Sequence, residues 1–302
     1  MKKSIFICIG ILICIFLGIE VSKYWSQVDF SSLDINYFFT TLLSLILIFY
    51  YLFNSLIWVR IMNDCGEKLN WRTGIIIHTY SQAAKYLPGG MWNVLGRVFL
   101  CAKNGMNVAR VSTSVFLEII LNIIAGGILV VLTGYSTLNL NIYIILAVTL
   151  LIIAWFYKPN FFIKPVLLLY RKWKKQTIEL NVSRKQLIRW TLFFTGAWML
   201  YSIVFYFFIT EILHIRINFM FSVGVLIFSW LVGFISPIPG GLGVREGSMT
   251  ALLSIQISYV DALSISLFTR LWLILVEVIL YAFTFIYARK SGLLIDKLKA
   301  KN

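Results

Sequence analysis
The sequence predicts an all-α, polytopic transmembrane helix bundle with two broken or re-entrant Pro-Gly-Gly elements and an internal duplication. Composition, the lengths of the apolar runs and the repetition of one interrupted motif carry that prediction. Of 302 residues, 60% are hydrophobic and 13% charged, with a mean hydropathy of +0.87; soluble domains run near half apolar and a quarter charged. A water-soluble core cannot hide that much apolar side chain, so lipid is the solvent for most of the chain. The net charge of +15 would suggest nucleic acid in a soluble protein. Here the basic residues fall between apolar runs, where they orient a membrane protein, and no nucleic-acid partner is expected.

A helix needs roughly 20 apolar residues to cross about 30 Å of hydrocarbon. The first candidate, Ser4 to Ile19 after Lys2 and Lys3, has the outline of a signal peptide. It lacks a small-x-small cleavage site and is read as a membrane helix. Tyr37 to Ile61, Val111 to Thr133, Ile142 to Tyr157, Ile188 to Thr210, Ile217 to Ile235 and Ala262 to Ala288 follow, making seven spans. Two further stretches, Gly74 to Leu100 and Ser236 to Leu253, are interrupted by Pro-Gly-Gly and carry charge. Non-helical backbone survives at membrane depth only where protein or a water-filled cavity satisfies it, so these face the interior.

Orientation follows from the loop at about 158–187, where Lys158, Lys164, Arg171, Lys172, Lys174, Lys175, Arg184, Lys185 and Arg189 in and beside it face one acid, Glu179. It is expected in the cytoplasm of a cell-membrane protein, with Lys2 and Lys3 on the same side. Its Phe161 to Lys175 segment reads equally as an interfacial element or as a solvated loop. The tail carries Arg289, Lys290, Lys297, Lys299 and Lys301 and is also expected inside. Seven spans from an inside start end outside, so the second broken element is expected to cross fully and make eight. The whole chain, 1–302, is one membrane domain, with repeat-like halves at about 37–133 and 217–288. The cysteines Cys8, Cys14, Cys65 and Cys101 have neither paired nor metal-like spacing, so no disulfide, metal or cofactor is expected.

The first break reads Lys85-Tyr86-Leu87-Pro88-Gly89-Gly90, with Gly96-Arg97 downstream. The second reads Pro237-Ile238-Pro239-Gly240-Gly241-Leu242-Gly243-Val244-Arg245-Glu246. Their prolines are 239 − 88 = 151 residues apart, and Glu118 and Arg270, in similar helices further on, are 270 − 118 = 152 apart. Matched discontinuous helices in two halves point to a transporter site near the bilayer midplane. Proline withholds a helix N–H and glycine permits turns closed to other residues, so each motif stops a helix inside the membrane. A helix resuming there aims its positive end at the break, beside Arg97 or Arg245, which suits a phosphate. Lys85 assists, and Glu118 and Arg270 are expected to pair across the two halves as a gate or as a structural ion pair. The alternative for the glycines is close helix packing. Glu277 is a further buried charge, whereas His78 and His214 are expected to be ordinary polar packing residues.

Ser236 to Gly247 closely resembles a signature of the membrane region of lysylphosphatidylglycerol synthases, a flippase-like family that also occurs as stand-alone chains. Lys85-Tyr86-Leu87-Pro88-Gly89, Gly96-Arg97 and Leu117-Glu118 resemble its other motifs, and the resemblance extends from about Tyr37 to Ala288. It implies translocation of an anionic lipid. The family's aminoacyl-transfer domain is expected to be absent, since Asn302 follows the last span closely, and synthase activity is not expected. Where the family follows the acid of the Leu117-Glu118 motif with arginine, this sequence has Ile119.

The resulting expectation is a lipid translocase, or an accessory to one, for an anionic phospholipid or polyprenyl-phosphate-linked lipid in envelope biogenesis. It is expected to have no catalytic residues. One alternative is a membrane glycosyltransferase using Asp29 or Asp34 as base. The other is a non-transporting scaffold for envelope-lipid or polysaccharide assembly proteins. No phosphate-binding Gly-rich loop ending in Lys-Ser or Lys-Thr is present, which argues against direct ATP use.

Overall fold
The computed structural model describes residues 36–86, 92–137, 141–158, 182–236, 238–241 and 243–290. Helix α1 (Tyr37–Asp64) starts at Asn36, whose side chain accepts from the Phe39 amide at 3.1 Å. Its 28 residues reach about 42 Å at 1.5 Å per residue, enough to cross a bilayer. Helix α2 (Trp71–Ala83) ends in a 3-10 turn, Ala84–Tyr86, and α3 (Trp92–Lys103) begins beyond the first break. Helices α4 (Val108–Thr137) and α5 (Ile142–Tyr157) follow. Helix α6 (Arg184–Phe207) carries a Ser183/Gln186 capping box and runs on into a π-turn, Phe208–Ile212. Helix α7 (Phe219–Ile235), a 3-10 turn at Pro239–Gly241, α8 (Val244–Leu253) and α9 (Tyr259–Lys290) complete the described residues.

The order long helix, two short helices around a break, long helix therefore occurs twice. Element starts are offset by 184 − 37 = 147, 219 − 71 = 148, 244 − 92 = 152 and 259 − 108 = 151 residues. The second unit begins at Arg184 rather than at about Ile217, because α6 corresponds to α1.

Within each unit the short helices fold back as a hairpin. In the first, Arg97 of α3 returns to Ser81 of α2, and Cys101 packs with Ile77, Trp58 and Val115. In the second, Arg245 lies against Gly233. Gly241 sits at φ +65°, and a Cβ there would stand 2.8 Å from the Gly233 carbonyl oxygen, so both its handedness and the closeness of the limbs demand glycine.

Contacts along the helices give the directions of α1, α6, α9, α2 and α7. At one end of the bundle Arg189 of α6 meets Asp64 of α1, while at the other Phe39 meets Phe207, so α1 and α6 are antiparallel. Helix α9 runs parallel to α1, with Trp272 on Ser44 and Glu277 on Tyr51. Helix α2 climbs against α9, from Tyr80 beside Phe285 to Lys85 beside Glu277. Helix α7 leaves from the Phe207 end, where Phe219 packs on Tyr206, and reaches Trp198 with Trp230. The two hairpins thus penetrate from opposite ends, and their tips, Ala84–Tyr86 and Pro239–Gly241, pack together between the long helices.

This corrects the span count. Among the described residues four helices are long and apolar enough to cross a membrane, Tyr37–Asp64, Val108–Gly134, Arg184–Ile212 and Tyr259–Lys290, with Ile142–Tyr157 shorter. The Ile217 to Ile235 run is the first limb of the second hairpin, and the second broken element folds back instead of crossing. With neither counted as a crossing, α9 ends on the face from which α6 began, without an eighth span. The expected first helix, Ser4 to Ile19, most of the 158–187 loop and the tail beyond Lys290 lie outside the described residues.

Candidate functional site
At the meeting of the hairpin tips, charges converge that a bilayer interior does not tolerate singly. Lys85, on the first tip, donates to Glu277 Oε1 of α9 at 2.5 Å. That carboxylate is buried and also accepts from the hydroxyls of Tyr51 at 2.7 Å and Tyr281 at 3.3 Å. From the second hairpin, Glu246 caps its own helix, accepting the Gly243 amide at 2.6 Å, and faces Arg270 of α9, Nε to Oε1, at 3.3 Å. Arg270 also donates to the Gly240 carbonyl at 3.3 Å, tying α9 to the break itself.

Arg245, one residue into α8, donates through Nη2 to the Tyr201 hydroxyl at 2.9 Å, and Tyr201 is held by stacking on Tyr50 with centroids 5.0 Å apart. Both Arg245 and Arg270 are near enough to act electrostatically on Lys85. Among the described residues, three cations, Lys85, Arg245 and Arg270, therefore face two carboxylates, Glu246 and Glu277, for a balance of 3 − 2 = +1. Between α8 and α9 lies a cavity of about 10 Å³ lined by Arg245, Glu246, Met249, Ser266, Thr269, Arg270 and Leu273. It has room for about one water.

Of the residues expected at the site, Lys85, Arg245 and Arg270 are brought together, with Gly240 and Gly241 at the turn and Gly243 at the α8 start. Pro239 opens the second tip. Arg97 and Glu118 are not part of this cluster. Arg97 is buried against the Trp58 ring, donates from Nε to Ser81 Oγ at 3.2 Å and makes a close ion pair with Glu118. Glu118 is thus paired with Arg97, and Arg270 with Glu246, rather than Glu118 with Arg270 across the halves. In each unit the returning hairpin limb is pinned to the next long helix, and the charges have changed places between limb and helix. Buried charge dictates this, since a guanidinium enclosed by apolar helices must find its counterion nearby.

His78, expected to be simple packing, lies between Ser55 and Glu118, at 2.9 and 3.0 Å. Glu277 and the tyrosines Tyr50, Tyr51, Tyr201 and Tyr281 complete the tip cluster. Single tyrosines in aromatic-rich spans carry no sequence signal that separates them from lipid-facing ones. Pro88, Gly89, Gly90, Asp29 and Asp34 lie outside the described residues.

The sequence matches the family described as Lysylphosphatidylglycerol synthase TM region over residues 4–280. The chain belongs to that family. No curated protein matches it in turn. Membership of the lysylphosphatidylglycerol synthase transmembrane family makes this a multi-pass membrane protein related to lipid handling. The adjacent Glu-Arg pair that Ile119 precludes has a spatial counterpart, because Arg97 reaches Glu118 from another helix.

Proposed function
We propose that this protein moves a lipid with an anionic, phosphate-bearing headgroup between the leaflets of the cell membrane, acting as a translocase and not as an enzyme. One observation carries the reading: Arg245 stands at the junction of the two hairpin tips, where three cations face two carboxylates among the described residues, with its guanidinium bonded to the Tyr201 hydroxyl. An uncompensated cation at membrane depth is costly and marks a functional place. A headgroup phosphate supplies the missing negative charge, and the planar guanidinium fork can hold two of its oxygens. Lys85 and Arg270 add attraction, and the tyrosine hydroxyls add donors.

The cavity between α8 and α9 holds a water and not a headgroup, so in this reading a headgroup reaches Arg245 and Arg270 as α8 and α9 part. Two units of opposed direction around a central site suit such alternating exposure. Eleven basic residues among those described, Arg60, Lys68, Arg72, Lys103, Arg110, Lys158, Arg184, Lys185, Arg189, Arg289 and Lys290, lie towards one face with Asp64 and Glu67. The other has Arg216 with Glu211 and Asp261. We assign the basic face to the cytoplasm, and with it the end of α9.

The test is lipid movement in vesicles containing the purified protein and fluorescent phosphatidylglycerol or a polyprenyl phosphate. Arg245→Gln is expected to reduce transfer at least about tenfold, the loss of one charge-assisted contact. Arg110→Gln, at the basic face, is expected to leave it intact. Transfer unchanged by Arg245→Gln overturns the reading.

A further inference from the structure
The buried chain Ser55–His78–Glu118–Arg97 lies apart from the lipid cluster. We infer that His78 and Glu118 together form a proton-binding site within the membrane, and that its occupancy drives lipid movement; the second half of this inference rests on the proposed function.

The argument is one of hydrogen counting. Ser55 Oγ is 3.0 Å from the Tyr51 carbonyl of its own helix and 2.9 Å from His78 Nδ1. His78 Nε2 is 3.0 Å from Glu118 Oε1. With a neutral imidazole, Ser55 gives its single hydrogen to Nδ1, and Nε2–H donates to the carboxylate. The Tyr51 carbonyl remains satisfied by the ordinary helix bond. When a proton arrives, both ring nitrogens donate. Ser55 then accepts from Nδ1 and turns its hydrogen to the Tyr51 carbonyl. Both proton counts satisfy every donor with the heavy atoms in place, and a hydroxyl rotation is the only change.

Groups facing His78 are Ser55 and Trp58 from α1, Glu118 from α4 and Arg97 from α3. From α9, Phe285 packs on the same helix at Tyr80. His78 and Arg97 take separate oxygens of Glu118, so the added proton alters no hydrogen bond to that carboxylate; it sets a second positive charge against the group that pins the first hairpin's returning limb, α3. Ser81 connects the two, donating to the His78 carbonyl at 2.7 Å while accepting from Arg97. Lys85 lies 85 − 78 = 7 residues, two turns, along the same limb. Protonation therefore adds its charge to α2, the limb whose tip carries the lipid-site cation Lys85.

The chain has two histidines, so nitrogen-15 NMR of histidine-labelled protein in lipid nanodiscs resolves His78 by its loss in His78→Gln. Between about pH 8 and 5, the range of imidazole titration, His78 is expected to pass from one protonated ring nitrogen to two. Glu118→Gln is expected to displace that transition to lower pH. A single form throughout overturns the site, whatever the lipid does. In vesicles, a pH gradient of one unit is expected to bias lipid between leaflets by about tenfold for one proton per lipid, and His78→Gln is expected to abolish the bias while lipid still equilibrates. Lipid that moves without regard to the gradient overturns the coupling. If no lipid moves at all, the proposed function falls and the NMR titration alone decides the proton site.

Discussion
The pairs Arg97–Glu118 and Arg110–Glu67 have the same chemistry and opposite surroundings. The first is buried on both sides; in the second, 43% of the Arg110 side chain is exposed. Removing one partner of a buried pair costs about 3–5 kcal/mol, because the other charge remains enclosed, whereas exposed pairs are worth about 0–1 kcal/mol. Glu118→Ala is therefore expected to lower the unfolding midpoint sharply in detergent, and Glu67→Ala to leave it nearly unchanged; equal effects would contradict the burial argument. At this scale the sequence is partly legible. Pro-Gly-Gly followed by arginine leaves Arg245 beside the second break, on the first turn of α8, because the break and the charge are neighbours in the chain. Arg97 has the same local pattern and a different fate, since its environment is set by Glu118, 21 residues on and on another helix. The His78–Glu118 contact spans 40 residues and has no local pattern at all.

Among elements, the second hairpin shows why apolar runs mislead. Ile217 to Ile235 has the composition of a membrane span, yet Gly240, Gly241 and Gly243 turn the chain through left-handed conformations directly after it. What makes it a limb is close approach to its return partner, a property of the tertiary fold. Gly241→Ala places a methyl carbon within 2.8 Å of the Gly233 carbonyl at an unfavourable φ, and a loss of about 1–3 kcal/mol is expected. Gly247→Ala, in the α8 interior with open space around it, is expected to stabilise by about 0.4–1 kcal/mol. Thermal unfolding of the two variants side by side measures the contrast. Similar shifts would show that the tip is looser than the packing of Gly241 on Gly233 implies.

For the molecule as a whole, the duplication is legible in motif spacing, while the opposed direction of the two units is not, because it depends on how many runs cross. Single cysteines placed at Arg110 and Lys290 in a background without the natural cysteines are expected to react with impermeant thiol reagents from one side of the membrane. Cysteines at Arg216 and Asp261 are expected to react from the other side. Labelling of Arg110 and Arg216 positions from the same side would refute the opposed hairpins. If the opposition holds, a frame built from two inverted halves looks much the same to a passenger arriving from either leaflet. Vectoriality is then not a property of the scaffold: it comes from whatever gradient is applied and from the few positions where the halves have diverged. The traded polarity of Arg97–Glu118 and Glu246–Arg270 is a departure from that likeness at the heart of the protein, so the two pinned limbs do not meet an added charge alike.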